Sequence, residues 1–181
     1  MLRNSFLFLV ILFSSASAFG NSDSLAQSSA RLKADVYALV GTTKPRNYAN
    51  IESLNEAADY ISGELEKVGL TVEEQPYMAN GSEYKNIIVS FGPKDAGRLI
   101  VGAHYDVCSH QDGADDNASG TAGIIELARM LKWKSPALEY RIDLVAYTLA
   151  EPQFFRTEGM GSAVHAKSLH GAGCEVKGMV C

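Results

Sequence analysis

Two short apolar runs constrain this chain more than any other feature. The run 99–103, LIVGA, is too short for an ordinary helix, and its lack of alternation suits a strand buried on both faces. The run 142–149, IDLVAYTL, reads as a second strand of the same kind. Strands buried on both faces need helices above and below the sheet, and segments of helical period lie on either side of both runs. From Ser24, the residues Leu25, Ser28, Leu32, Val36 and Leu39 recur at helical spacing before Gly41. In a second segment Leu54, Ala58, Ile61, Leu65 and Val68 form one stripe ending at Gly69, and Ser53-Leu54-Asn55-Glu56 has the form of a capping box. Segments 118–131 and 161–169 are likewise helical.

Between the helices, 70–76 reads as an edge strand, Asn80-Gly81 as a turn, 86–91 as a strand and Gly92-Pro93 as another turn, while a last strand begins at Val176. The expectation is an α/β three-layer sandwich with a mixed, mostly parallel central sheet, incomplete at its C-terminal side.

The first residues are of a different kind. Arg3, an apolar run over 6–13 and the close Ala16-Ser17-Ala18 are the three parts of a secretory signal peptide, so 1–18 is expected to be removed and the protein to be secreted or periplasmic. The run is too short for a membrane anchor, and no later stretch approaches a spanning length. Residues 19–45 are then an N-terminal helix and linker, and 46–181 the functional domain. Without 1–18 the chain holds 15 basic and 21 acidic residues, a net charge of −6, which disfavours nucleic acid as a partner. Cys108, Cys174 and Cys181 are an odd number for a disulfide framework.

Both buried strands run directly into ionisable residues, and open α/β sheets place their sites at the carboxyl ends of strands. The first continues into His104-Tyr105-Asp106, the second into Ala150-Glu151, and between them lies the acidic loop Gly113-Ala114-Asp115-Asp116-Asn117-Ala118-Ser119-Gly120. A histidine and two carboxylates at one sheet edge could hold zinc, and Asp106 could orient the His104 imidazole through its second ring nitrogen. The doublet Asp115-Asp116 would equally serve to cap a helix. Cys108 lacks the paired spacing of a zinc thiolate and fits a loop thiol lining the site. His165 and His170 fit a solvated helix face. Phe154-Phe155 suits either a pocket for an apolar substrate side chain or burial under the loop.

The wording A-H-Y-D, then G-A-D-D-N-A-S-G, then an acidic strand end and M-G-S, resembles peptidase family M28, secreted aminopeptidases with two zinc ions; glutaminyl cyclases share their fold. The resemblance extends from about residue 47 to 181. It implies a zinc-dependent aminopeptidase acting on peptides, with His104 on one zinc, Asp116 bridging both, Glu151 on the other, Asp106 orienting His104 and Asp115 supporting the loop. Two departures stand against full activity. The family's second strand ends in Glu-Glu, the first being the general base; here the pair is Ala150-Glu151, continuing into Pro152-Gln153-Phe154-Phe155-Arg156-Thr157, similar to the variant E-E-P-P-F-F-R-T. Sliding the register by one would make Pro152 a ligand, which is chemically impossible, so Ala150 occupies the position of the base. The family's remaining acidic and histidine ligands would fall beyond Cys181, which implies a fragment of a longer chain. The alternatives are a glutaminyl cyclase and an exported peptide-binding module without catalysis.

Overall fold

The computed structural model describes residues 19–181, with side chains from residue 25 onward; the expected signal peptide, 1–18, lies outside the described residues. The elements are α1 (Phe19–Val40), α2 (Ile51–Lys67), β1 (Glu73–Ala79), β2 (Ser82–Phe91), β3 (Arg98–His104), α3 (Ser119–Lys134), β4 (Arg141–Tyr147), α4 (Gly161–Gly171) and β5 (Val176–Val180). One sheet of order β1-β2-β4-β3-β5 contains all five strands. β2 is antiparallel to β1 and β4, whereas β3 is parallel to β4 and β5, so only β2 opposes the common direction. This is the mixed, mostly parallel sheet that the sequence implies.

Strand alternation sorts the core into two layers. Ile87 and Val89 of β2 and Leu144 and Ala146 of β4 join Leu39, Leu54, Ile61, Leu65 and Ile125 from the helices α1, α2 and α3. Their strand neighbours Ile88, Val145 and Tyr147 pack on the opposite face with Ile100 and with Leu169 of α4. Among the described residues, no helix is long and apolar enough to cross a membrane.

Several local expectations are corrected. β1 starts at Glu73 rather than Leu70, because Leu70 and Val72 pack on the core as the chain leaves Gly69. Ser53 and Glu56 do not cap α2. The helix starts at Ile51, Ser53 Oγ accepts the Lys44 N–H at 3.0 Å, and Glu56 accepts the backbone N–H and hydroxyl of Thr43 at 2.9 and 2.8 Å. Leu25 is 71% exposed, since the start of α1 finds no partner for it, whereas Leu39 at the other end is fully buried. His165 is buried rather than solvated, and its Nδ1 lies 2.9 Å from the Tyr147 hydroxyl. Burial holds its imidazole below the ordinary histidine value. All three cysteines are free.

The helical layer is joined by charge as well as by apolar contact. Asp35 of α1 is buried, and its carboxylate accepts from Arg129 at 2.6 Å and from the Tyr60 hydroxyl at 2.7 Å. Arg129 also donates to Glu64 at 2.5 Å, and Glu126 receives Arg31 and Ser28. α1, α2 and α3 thereby meet at one satisfied network, which buried charge requires.

A second buried carboxylate stands inside the sheet. Asp143 of β4 accepts from Ser90 at 2.6 Å, Arg98 at 2.6 Å and Arg141 at 2.9 Å. Burial alone would raise its carboxyl, yet these donors hold it below the ordinary aspartate value. The resulting stability is present above the unfolded value of 3.8 and is lost as pH falls through the lower folded one. Asp143→Asn is therefore expected to cost about 3 kcal/mol at neutral pH. Urea midpoints measured against pH should show the wild-type advantage shrinking only below the ordinary aspartate range; an advantage independent of pH would refute this account.

Candidate metal centre

The parallel register of β3 and β4 pairs His104 with Tyr147, so the residues beyond both strands emerge at the same sheet edge. His104 closes β3, and the hydroxyl of Thr121, in the first turn of α3, donates to its carbonyl at 3.0 Å. Beyond Tyr147 the backbone turns sharply: Leu149 is buried yet has φ 57°, an uncommon conformation for a bulky residue, and Ala150 and Glu151 come directly after it. The acidic loop reaches the same place from the other side. Gly113 has φ 62°, and a Cβ there would overlap Val107 and the Asp116 carbonyl. Gly120 comes so close to Asn117 that a Cβ would overlap its amide, while the Gly120 N–H donates to Asn117 Oδ1 at 2.9 Å. These contacts leave the 113–120 loop little freedom in where it presents Asp116.

His104, Asp116 and Glu151 are brought together: one ligand atom from each lies within 4.8 Å of the other two. His104 Nε2 and Asp116 Oδ1 are 3.0 Å apart. Ligand atoms arranged tetrahedrally at roughly 2.1 Å from a zinc ion stand about 3.4 Å from one another, so small side-chain adjustments would suffice, with His104 and Asp116 parting slightly. One imidazole nitrogen and two carboxylates form a donor set that zinc accepts. Asp115 stays outside the group; its carbonyl accepts the Ser119 hydroxyl at 2.8 Å. Cys108, His165 and His170 are also outside it.

Asp106 has two partners, of which the sequence suggested one. Its Oδ1 lies 3.4 Å from His104 Nδ1, and its backbone carbonyl is 3.1 Å from the same nitrogen. A proton on Nδ1 is thus held toward Asp106, leaving Nε2 for a cation. The same buried carboxylate accepts the N–H of Ala150 at 3.0 Å and of Glu151 at 3.1 Å. It therefore fixes both His104 and the segment that carries Glu151. Phe154 is buried against Tyr48 and Tyr84, whereas Phe155 is exposed beneath the Arg156 guanidinium, which answers the two openings left for that pair.

Protonation of the group reflects its crowding. For His104, burial disfavours the imidazolium, but Asp106 and then Asp116 outweigh it, and the ring is held above 6.5. Burial and the Asp116 charge push the Glu151 carboxyl above its ordinary 4.5. A cation must compete with these protons.

Residues 86–172 match the model of peptidase family M28. This stretch of the chain belongs to that family. Uncharacterized protein YfbL of Escherichia coli is 44% identical over 147 residues, covering 77% of this chain and 45% of that protein. Among solved structures, the LapA aminopeptidase of Legionella pneumophila superposes with a TM-score of 0.72 at 16% identity, over 98% of this chain and 48% of its own. A Fimbriiglobus ruber glutaminyl cyclase gives 0.68 at 20% identity, over 83% and 59%. At these identities the two structures share the fold. The chain spans about half the length of these relatives.

Zinc affinity, measured by competition with a chromophoric chelator, is expected to rise with pH above the ordinary histidine range as His104, held high by Asp106 and Asp116, releases its proton. At fixed pH, Asp106→Asn should weaken it about 10- to 100-fold. An affinity indifferent to pH would exclude His104 as a ligand.

Proposed function

We propose that the protein is an exported zinc-dependent exopeptidase that takes the N-terminal residue of peptides, with a hydrolytic rate held low by Ala150. The observation that carries this reading is the convergence of His104, Asp116 and Glu151 at the carboxyl ends of β3 and β4 in an M28 chain. His104 would hold one zinc, Asp116 would bridge two and Glu151 would hold the other. Bound zinc would polarise the scissile carbonyl and acidify a water. Asp106 keeps Nε2 of His104 directed at the site and holds the Glu151 backbone. The Ala150 methyl cannot accept a proton, and loss of a positioned base costs about 10²- to 10⁴-fold. The signal-peptide pattern at 1–18 supports export to the periplasm or medium.

A glutaminyl cyclase is the second reading, favoured by the grouping of three ligands around a space for one cation. Ala150 favours a third, a peptide-binding module without turnover. Zinc stoichiometry and aminoacyl-p-nitroanilide hydrolysis, measured on protein from its native source, separate them. Two zinc ions and a gain of about 10²-fold or more in Ala150→Glu are expected. One zinc with cyclisation of N-terminal glutamine would favour the cyclase, and peptide binding without turnover in both forms the module. Absence of zinc binding would overturn the exopeptidase and the cyclase.

A further inference from the structure

Arg46 is a buried cation, 1% exposed, with no part in the proposed chemistry. Its guanidinium donates to four backbone carbonyls: Nε to Tyr105 at 2.7 Å, Nη1 to Leu39 at 3.1 Å and to Asp112 at 2.6 Å, and Nη2 to Gly113 at 2.6 Å. The Arg46 carbonyl accepts the Val107 N–H at 3.0 Å, and the neighbouring Asn47 amide donates to the Ser109 carbonyl. One side chain thus ties together the end of α1, the residue after His104 and the start of the acidic loop. The Gly113 carbonyl that it holds also accepts the Ala118 N–H at 3.0 Å, closing the turn that contains Asp116.

We infer that Arg46 is a positioning residue of the cation site, setting the separation between the His104 strand end and the Asp116 loop. Residues 105–113 lie between β3 and α3 and belong to neither; strand pairing ends at Tyr105, and apart from the Thr121 hydroxyl on the His104 carbonyl it is Arg46 that spans this separation. A planar fork with donors on three nitrogens can span these carbonyls at once; a lysine ammonium, a compact point charge, cannot. The inference rests on His104, Asp116 and Glu151 being cation ligands, and its test separates the two claims.

Arg46→Lys is compared with wild type and with Asp143→Asn, which weakens the sheet away from the site. Zinc affinity is read by chelator competition, and amide hydrogen exchange is tracked in the metal-free full chain. Arg46→Lys is expected to bind zinc about tenfold more weakly or worse. Its amides over 105–118 should exchange faster while those of α2 and β2 change little. Asp143→Asn should lose stability with zinc affinity unchanged. Millimolar guanidinium should restore zinc affinity to Arg46→Ala, a readout that remains if the lysine variant does not fold. Wild-type affinity in Arg46→Lys, or a loss that Asp143→Asn reproduces, would overturn the inference. Should wild type bind no zinc, the ligand reading fails by itself, and unaltered exchange over 105–118 would then sink the positioning role as well.

Discussion

A buried carboxylate that faces two ways underlies the geometry of this site. Asp106 leaves β3 just after His104, yet it accepts the N–H groups of Ala150 and Glu151, which lie just past β4. A buried anion without donors is costly, so the folded state is stable only if that backbone reaches it. Satisfying the charge therefore places Glu151 beside His104. Arg46 contributes from the other side: its charge lies near Asp106 and lends the carboxylate a counter-ion, while its donors gather the loop that presents Asp116. Three candidate ligands from three segments are thus placed by two buried charges outside the group.

The rest of the fold supplies the rigidity on which these contacts depend. β3 and β4 are central strands, covered by α3 on one side and α4 on the other, so their ends have little room to shift. α1 matters through its last turn, where the Leu39 carbonyl accepts from Arg46. The Asp35, Arg129, Glu64 and Glu126 network holds that helix on α2 and α3. A disturbance of α1 therefore reaches the acidic loop through the Arg46 guanidinium as well as by direct packing.

Legibility in the sequence depends on the range over which each signal acts. The runs 99–103 and 142–149, the Asn80-Gly81 hairpin and the stripe of α2 are local patterns whose periods survive in the structure. Strand ends and a Gly-bounded acidic loop marked the region, while the choice of Asp116 over Asp115 came with the resemblance to family M28; the geometry brings His104, Asp116 and Glu151 together. Arg46 carried no signal: an arginine after Pro45 looks like any loop residue until its partners at 105, 112 and 113 are known. The same holds for Asp143 within an apolar strand and for Asp35, each made tolerable by residues distant in sequence. Ser53 and Glu56 show the reverse, a local capping signature overridden when the 42–44 loop claimed both side chains.

Position 150 enters the structure through its backbone rather than its side chain. The fold uses only the backbone N–H of position 150, donated to Asp106 at 3.0 Å, and an alanine provides it as well as a glutamate would. Glu151 is held by its own N–H to the same carboxylate, so its placement does not depend on the neighbouring side chain. A glutamate at 150 would add a carboxyl beside a group whose existing acid is already pushed up by burial and by Asp116. Such crowding is useful to a general base but costs stability. The methyl avoids that repulsion and leaves Asp106, Glu151 and the strand register in place, so the architecture of the site does not depend on which side chain stands at 150.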